Sequence, residues 1–158
     1  MTIRSFCVMV SVLCLTTALC SQMQSLSRND SFAAAKLSPA ETRQILEGVE
    51  QSAYDTPDSW QTELRLRRVD LGGSPGIVVQ GSSLLCGGTG NCQAWVFRKS
   101  DGRWMSMMPG DQAPLASGFA FSKTQTRGIR DFSITANSSA TDSKRTTFKF
   151  DGQFYRAE

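Results

Sequence analysis

Leu85-Cys86-Gly87-Gly88-Thr89-Gly90-Asn91-Cys92, followed by Gln93-Ala94-Trp95-Val96-Phe97-Arg98, is the stretch whose reading decides the fold. Two cysteines enclose five residues, three of them glycine. Such a pair is either a disulfide or half of a metal site. Zinc sites use four ligands and closer cysteine spacing, and the chain has no histidine. Outside the first twenty residues Cys86 and Cys92 are the only cysteines, so no second pair exists to complete a site. Glycine tolerates the positive φ values that a short closed loop needs. The chain-entropy relation gives a closure of this length roughly 2–2.5 kcal/mol. A redox-active pair calls instead for Cys-x-x-Cys spacing at a helix N-terminus. A structural Cys86–Cys92 bond is therefore expected.

Working outward, residues 93–98 read as a strand on which Trp95 and Phe97 face the same way. Asp101-Gly102 has the chemistry of a tight hairpin turn, and residues 103–108 return. Alternation sets Trp104, Ser106 and Met108 on one face and Met105 and Met107 on the other, so this strand is expected to be buried on both sides. Upstream, Leu64, Leu66 and Arg68 share one side of a strand, Leu71-Gly72-Gly73-Ser74-Pro75-Gly76 turns, and residues 77–80 come back. Downstream, residues 119–121 and 131–136 alternate with Gly128 between them. Residues 146–150, the turn Asp151-Gly152 and residues 153–155 close the chain.

The hydrophobic period is helical only before this region. Ser38, Pro39 and Glu41 make a capping box, and Ile45, Leu46, Val49 and Ala53 form one stripe over 39–52, with Gly48 weakening the helix. The fold class expected is α+β: an antiparallel meander of hairpins with one N-terminal amphipathic helix packed on the sheet. Residues 1–20 read as a cleaved secretory signal, with Arg4 before an apolar run too short to span a membrane. Leu19 before Cys20 argues against a lipid anchor. Residues 21–36 are polar and Ala-rich and read as a flexible leader, leaving 37–158 as a single disulfide-stapled β-rich domain. A periplasmic or extracellular location follows. Without Arg4 the chain has 16 basic and 14 acidic residues, too even a balance to call for nucleic acid.

With LCGGTGNC, GIRDF (128–132) and FKFDGQFY (148–155) in view, the chain resembles a group of small secreted bacterial proteins of uncharacterised function. That group combines a signal peptide, a strand-turn-strand unit of the type D-L-N-G-D-G-x-x-E-I-V-V, a Cys-Gly-x-x-Gly-Asn-Cys loop, a Gly-x-x-Asp-Ile segment and a terminal Tyr-x-Phe-x-Gly-x-x-Tyr. The resemblance covers 64–155 and implies a secreted, all-antiparallel domain without supplying an activity. Its acidic turn suggests a calcium loop in relatives. Here only Asp70 of those acids is kept, which argues against calcium, and no cofactor is expected.

The absence of histidine closes Ser-His-Asp and Cys-His mechanisms and most zinc hydrolase sites. Carboxylate pairs remain. Among Asp101, Asp131, Asp142 and Asp151, turns account for Asp101 and Asp151 and a polar loop for Asp142, so Asp131, between Arg130 and Phe132 in a strand, is the exception; a structural hydrogen bond to nearby backbone or an ion pair with an arginine is expected there ahead of catalysis. Two functions are open. The first is a non-catalytic envelope binding protein, such as an inhibitor or immunity-type factor, contacting its partner through Thr89 and Asn91 at the loop tip. The second is a carbohydrate-binding or carboxylate-dependent carbohydrate-active domain, which requires Trp95 or Trp104 exposed as a stacking platform beside Asp131. The partner is accordingly a protein or glycan of the cell envelope.

Overall fold

The computed structural model describes residues 23–53, 58–108 and 113–158. The segment read as a signal over 1–20 lies outside the described residues, as do Tyr54, Asp55, Thr56 and Pro57 after the helix and residues 109–112. Strands β1 (Leu64–Asp70), β2 (Pro75–Gly81), β3 (Cys92–Ser100) and β4 (Arg103–Ser106) form a first antiparallel sheet in sequential order, with the two-residue β5 (Leu115–Ala116) pairing the start of β3. Strands β6 (Gly118–Thr126), β7 (Ile129–Asn137), β8 (Ser143–Phe150) and β9 (Tyr155–Ala157) form a second. The single meander expected from the hairpin pattern is thus two sheets. The chain crosses between them at Ser117, whose N–H and hydroxyl both donate to the Thr135 carbonyl at 2.7 and 3.0 Å.

The central strands carry the reason for two sheets. Ile77-Val78-Val79 on β2 and Ala94-Trp95-Val96-Phe97 on β3 are buried without a break, a pattern that requires cover on both faces. On one face, Leu64, Leu66, Ile77, Val79, Trp95, Phe97 and Trp104 pack with Ile45 and Val49 of helix α1 (Pro39–Glu50). On the other, Val78, Ala94 and Val96 meet Phe119, Phe132, Ile134, Phe148, Phe150 and Tyr155 of the second sheet. The result is three layers, helix on sheet on sheet. Backbone bonds stitch the sheets at their corners: Tyr155 N–H donates to Met107 (2.7 Å) and Arg130 N–H to Leu71 (2.9 Å).

Helix α1 begins as its sequence predicts, with Ser38 and Glu41 each accepting from the other's N–H. Glu41 does more than cap. It also accepts from Lys99 Nζ (2.8 Å) and Trp104 Nε1 (3.2 Å), which fastens the helix to the β3–β4 hairpin. Those bonds, Lys99 foremost, lower its pKa to about 2. Gly48 is the close-approach residue: a Cβ there would lie 2.6 Å from the Phe97 ring. Its propensity cost in a helix buys contact with the sheet. Among the described residues no helix is long and apolar enough to cross a membrane.

The segment before α1 differs from the flexible leader that its composition suggests, and the helix is not the fold's N-terminal element. Gln24 exchanges two 2.7 Å backbone bonds with Phe119 on the edge of β6. Leu26 is buried, its N–H on Gln80 Oε1. Asp30 takes a two-pronged bond from Arg67 at 2.8 and 2.7 Å, which holds its carboxyl well below the usual range. Arg68 Nε donates to Ala35. Scattered anchors of this kind have no period, so no sequence pattern announces them. Before β1, Trp60–Glu63 forms a 3-10 turn. One further difference is local: Met105, within β4, is exposed where two-sided burial was expected.

Candidate functional site

Every strand of the two sheets runs between two ends, and the disulfide lies at one of them. Cys86 and Cys92 are bonded across an antiparallel bridge. The loop between them closes on itself: Gly87 N–H donates to Asn91 (2.7 Å) and Gly90 N–H to Gly87 (2.9 Å). Asn91 then ties it to the end of β7. Its Nδ2 donates to the Asn137 carbonyl (2.7 Å) and its Oδ1 accepts from the Asn137 N–H (2.7 Å), the two bonds that a neighbouring strand would make. Asn137 returns the contact through Nδ2 to the Thr89 carbonyl (3.2 Å). The tip that remains, residues 87–90, is exposed, and a Cβ built at Gly88 or Gly90 would meet nothing within 4 Å.

Of the five candidate contact residues Thr89, Asn91, Trp95, Trp104 and Asp131, only Thr89 is on the surface. Asn91 is buried, and its amide is consumed in holding the loop. Trp95 is completely buried, with Nε1 on Ser52 Oγ at 2.9 Å. Trp104 is buried beneath the cationic groups of Arg68 and Lys99, 5.8 and 5.6 Å from its ring centre. Trp60 is buried as well, so no tryptophan offers a face for stacking on a sugar. The platform demanded by the carbohydrate reading is missing, because alternation tells which residues share a face but not that both faces of this sheet are covered.

Asp131 is buried on the outer side of β7, opposite an irregularity in β6 between Phe121 and Gln125. Its Oδ2 accepts from Thr124 Oγ1 (2.9 Å), while Oδ1 has no hydrogen-bond partner. Nearby, burial pushes the Tyr155 phenol up, with the charge of Asp131 adding to the effect, and its hydroxyl donates to the Arg130 carbonyl (2.6 Å). The other acids weighed for catalysis are occupied. Asp151 accepts from the N–H groups of Gln153 and Phe154 and from Arg156, and Asp142 from Ser138 Oγ. Asp70, the residue left from the acidic turn, accepts from Gly73 N–H at 2.8 Å. Among the described residues no group of three or more His, Cys, Asp or Glu side chains comes together to hold a metal ion.

Sequence reasoning missed two features of this end. Asn137 supplies the backbone groups that Asn91 reads, 46 positions away. Leu84 and Leu115, on segments flanking the loop, are 60% and 41% exposed, which few large apolar side chains among the described residues are. Neither could be found from spacing, since both depend on which strand ends meet. No protein-family model, curated protein or solved structure matches the chain.

Proposed function

We propose that the protein is a non-catalytic binding protein of the periplasm or cell exterior, an inhibitor or immunity-type factor that docks on an envelope enzyme through the loop between Cys86 and Cys92. One observation carries this reading. The loop tip is exposed and bare, yet a disulfide and the reciprocal Asn91–Asn137 bonds fix its base. A convex loop fixed in advance loses little entropy on entering a cleft, so its contacts are not offset by the cost of ordering it. The exposed tip presents polar groups without bulk, and the Thr89 hydroxyl and carbonyl are already held from below by Asn91 Nδ2 (2.8 Å) and Asn137 Nδ2 (3.2 Å). The disulfide and the signal-like composition of 1–20 support an oxidising compartment. The test is capture of a one-to-one complex from envelope extract by the purified chain, repeated with Thr89→Arg. Loss of capture with an almost unchanged thermal melt is the expected result, since Asn91 Nδ2, which bonds the Thr89 hydroxyl, keeps its bond to the Asn137 carbonyl. Capture that Thr89→Arg leaves intact removes the loop from the interface. Glycosidase, esterase or peptidase activity abolished by Asp131→Asn overturns the non-catalytic reading.

A further inference from the structure

One residue in five of this chain is charged, but the segments that build the disulfide end are not. Residues 82–97, 113–122 and 132–141 contain no Asp, Glu, Lys or Arg. The fold brings these three runs together. Cys92 pairs with Ala116 and Gln93 with Leu115, Ser117 bonds Thr135, and Asn91 bonds Asn137. Leu84 and Leu115 stand exposed on this uncharged ground. Among the described residues, charges flank it at Glu63 behind Ser82 and at Asp142, Lys144 and Arg145 entering β8. An uncharged centre with apolar anchors inside a charged rim is the anatomy of a protein interface.

We infer that this whole end, and not the loop tip alone, is the contact surface, and that it takes a protein partner whose facing surface is itself uncharged and hollowed to receive Leu84 and Leu115. The inference rests on the binding reading above and deepens it. A partner carrying charges opposite this end would bury them against groups unable to neutralise them, at a cost of several kcal/mol per ion. Association is therefore driven by apolar burial and neutral hydrogen bonds, and salt does not screen it.

The test uses the full mature chain immobilised against envelope extract in about 0.1 M and about 1 M NaCl, concentrations between which surface charges become fully screened. Variants Leu84→Glu and Leu115→Glu are compared with Met105→Glu, another exposed apolar position, on β4. Expected is capture that survives high salt, falls at least tenfold in either leucine variant and is unchanged by Met105→Glu. Should a glutamate variant unfold, Leu84→Ser and Leu115→Ser carry the comparison. Capture lost in high salt overturns the inference, and so does capture that both leucine variants retain while Thr89→Arg abolishes it; the binding reading survives either result. Self-association of the purified chain that Leu84→Glu dissolves names a second copy as the occupant and also overturns it. No capture by the wild-type chain removes the binding reading itself.

Discussion

The two ends of the paired sheets are built on different principles. At the end away from the disulfide, strands are joined by short glycine turns. Asp101-Gly102 and Arg127-Gly128 each take positive φ at both positions (51° and 77°, 53° and 78°), the geometry of a two-residue hairpin matched to strand twist. The Asp151 turn is held by its own carboxylate, and charged residues sit in or beside each of these turns. Long-range bonds reach this end too, from Arg130 N–H to Leu71 and from Arg130 Nη1 to the Asp70 carbonyl, but each of these turns is shaped by its own residues. At the disulfide end the runs 82–97, 113–122 and 132–141 are uncharged, and besides the local Cys86–Cys92 bond they are fixed by groups distant in sequence, Asn91 with Asn137 and Ser117 with Thr135. A turn end that only reverses the chain is stabilised locally and solvated by charge. On the proposed binding reading, an end held by long-range bonds and low in charge is the one that makes the contact.

The sharpest way to break this contrast is Asn91→Ala. It removes the donor and acceptor that satisfy Asn137 and leaves partly buried backbone groups without partners, each costing ~1–3 kcal/mol. A loss of about 3 kcal/mol is expected in chemical denaturation. Replacing both cysteines with serine comes next at about 2–2.5 kcal/mol, the closure entropy of so short a loop. Matched losses in Asn91→Ala and in Asp151→Ala, at the opposite end, would erase the distinction between the ends.

How much of this was open to the sequence follows the same division. The turn end was legible because its determinants are neighbours: Asp-Gly dipeptides, strand alternation, and the capping box of Ser38 and Glu41. The disulfide was legible by elimination. The leader was not, because Gln24, Leu26, Asp30 and Ala35 each bind a different strand or strand side chain, with no repeat to reveal it. Burial of Trp104 agrees with the core packing expected of its strand, and the stacking-platform alternative for Trp95 and Trp104 fails for a related reason. Trp95 and Trp104 sit on the face covered by α1, and a strand's pattern does not say what lies over it. Asn91 was identified as a contact residue by its place in the loop, and only the register of β7 shows that its amide is already spent.

Acid should separate the halves of the molecule. Glu41, Asp30 and Asp151 all have folded pKa values depressed by their partners, Glu41 from 4.5 to about 2. A depressed carboxyl contributes stability that is fully present above its unfolded pKa and fades as pH falls toward the folded one. Melting temperature should therefore be flat above pH 4.5 and decline between pH 4.5 and 2. The three uncharged segments contain no carboxylate to titrate. Amide exchange at Asn91 and Asn137 should accordingly rise last, after that of the α1 cap at Ser38 and Glu41. Simultaneous loss of protection at both places would show that the two regions unfold as one unit.

The smallest effect tests whether the loop tip is set by its backbone or by contacts. Gly90 has φ of 76°, whereas Gly88 lies outside the positive-φ region, and a Cβ at either would touch nothing within 4 Å. Contacts therefore contribute equally to both substitutions, and any difference between them is conformational. Gly90→Ala forces an L residue into the left-handed region and should cost about 1 kcal/mol. Gly88→Ala narrows the unfolded ensemble at a position whose native geometry alanine accepts, so it should stabilise by about 0.5 kcal/mol. Denaturant titration of the two variants resolves this pair, since the shifts have opposite signs. Equal shifts of the same sign would mean that the tip does not hold the geometry its base imposes, and a loop that rearranges freely would forfeit the entropic advantage on which the proposed docking role rests.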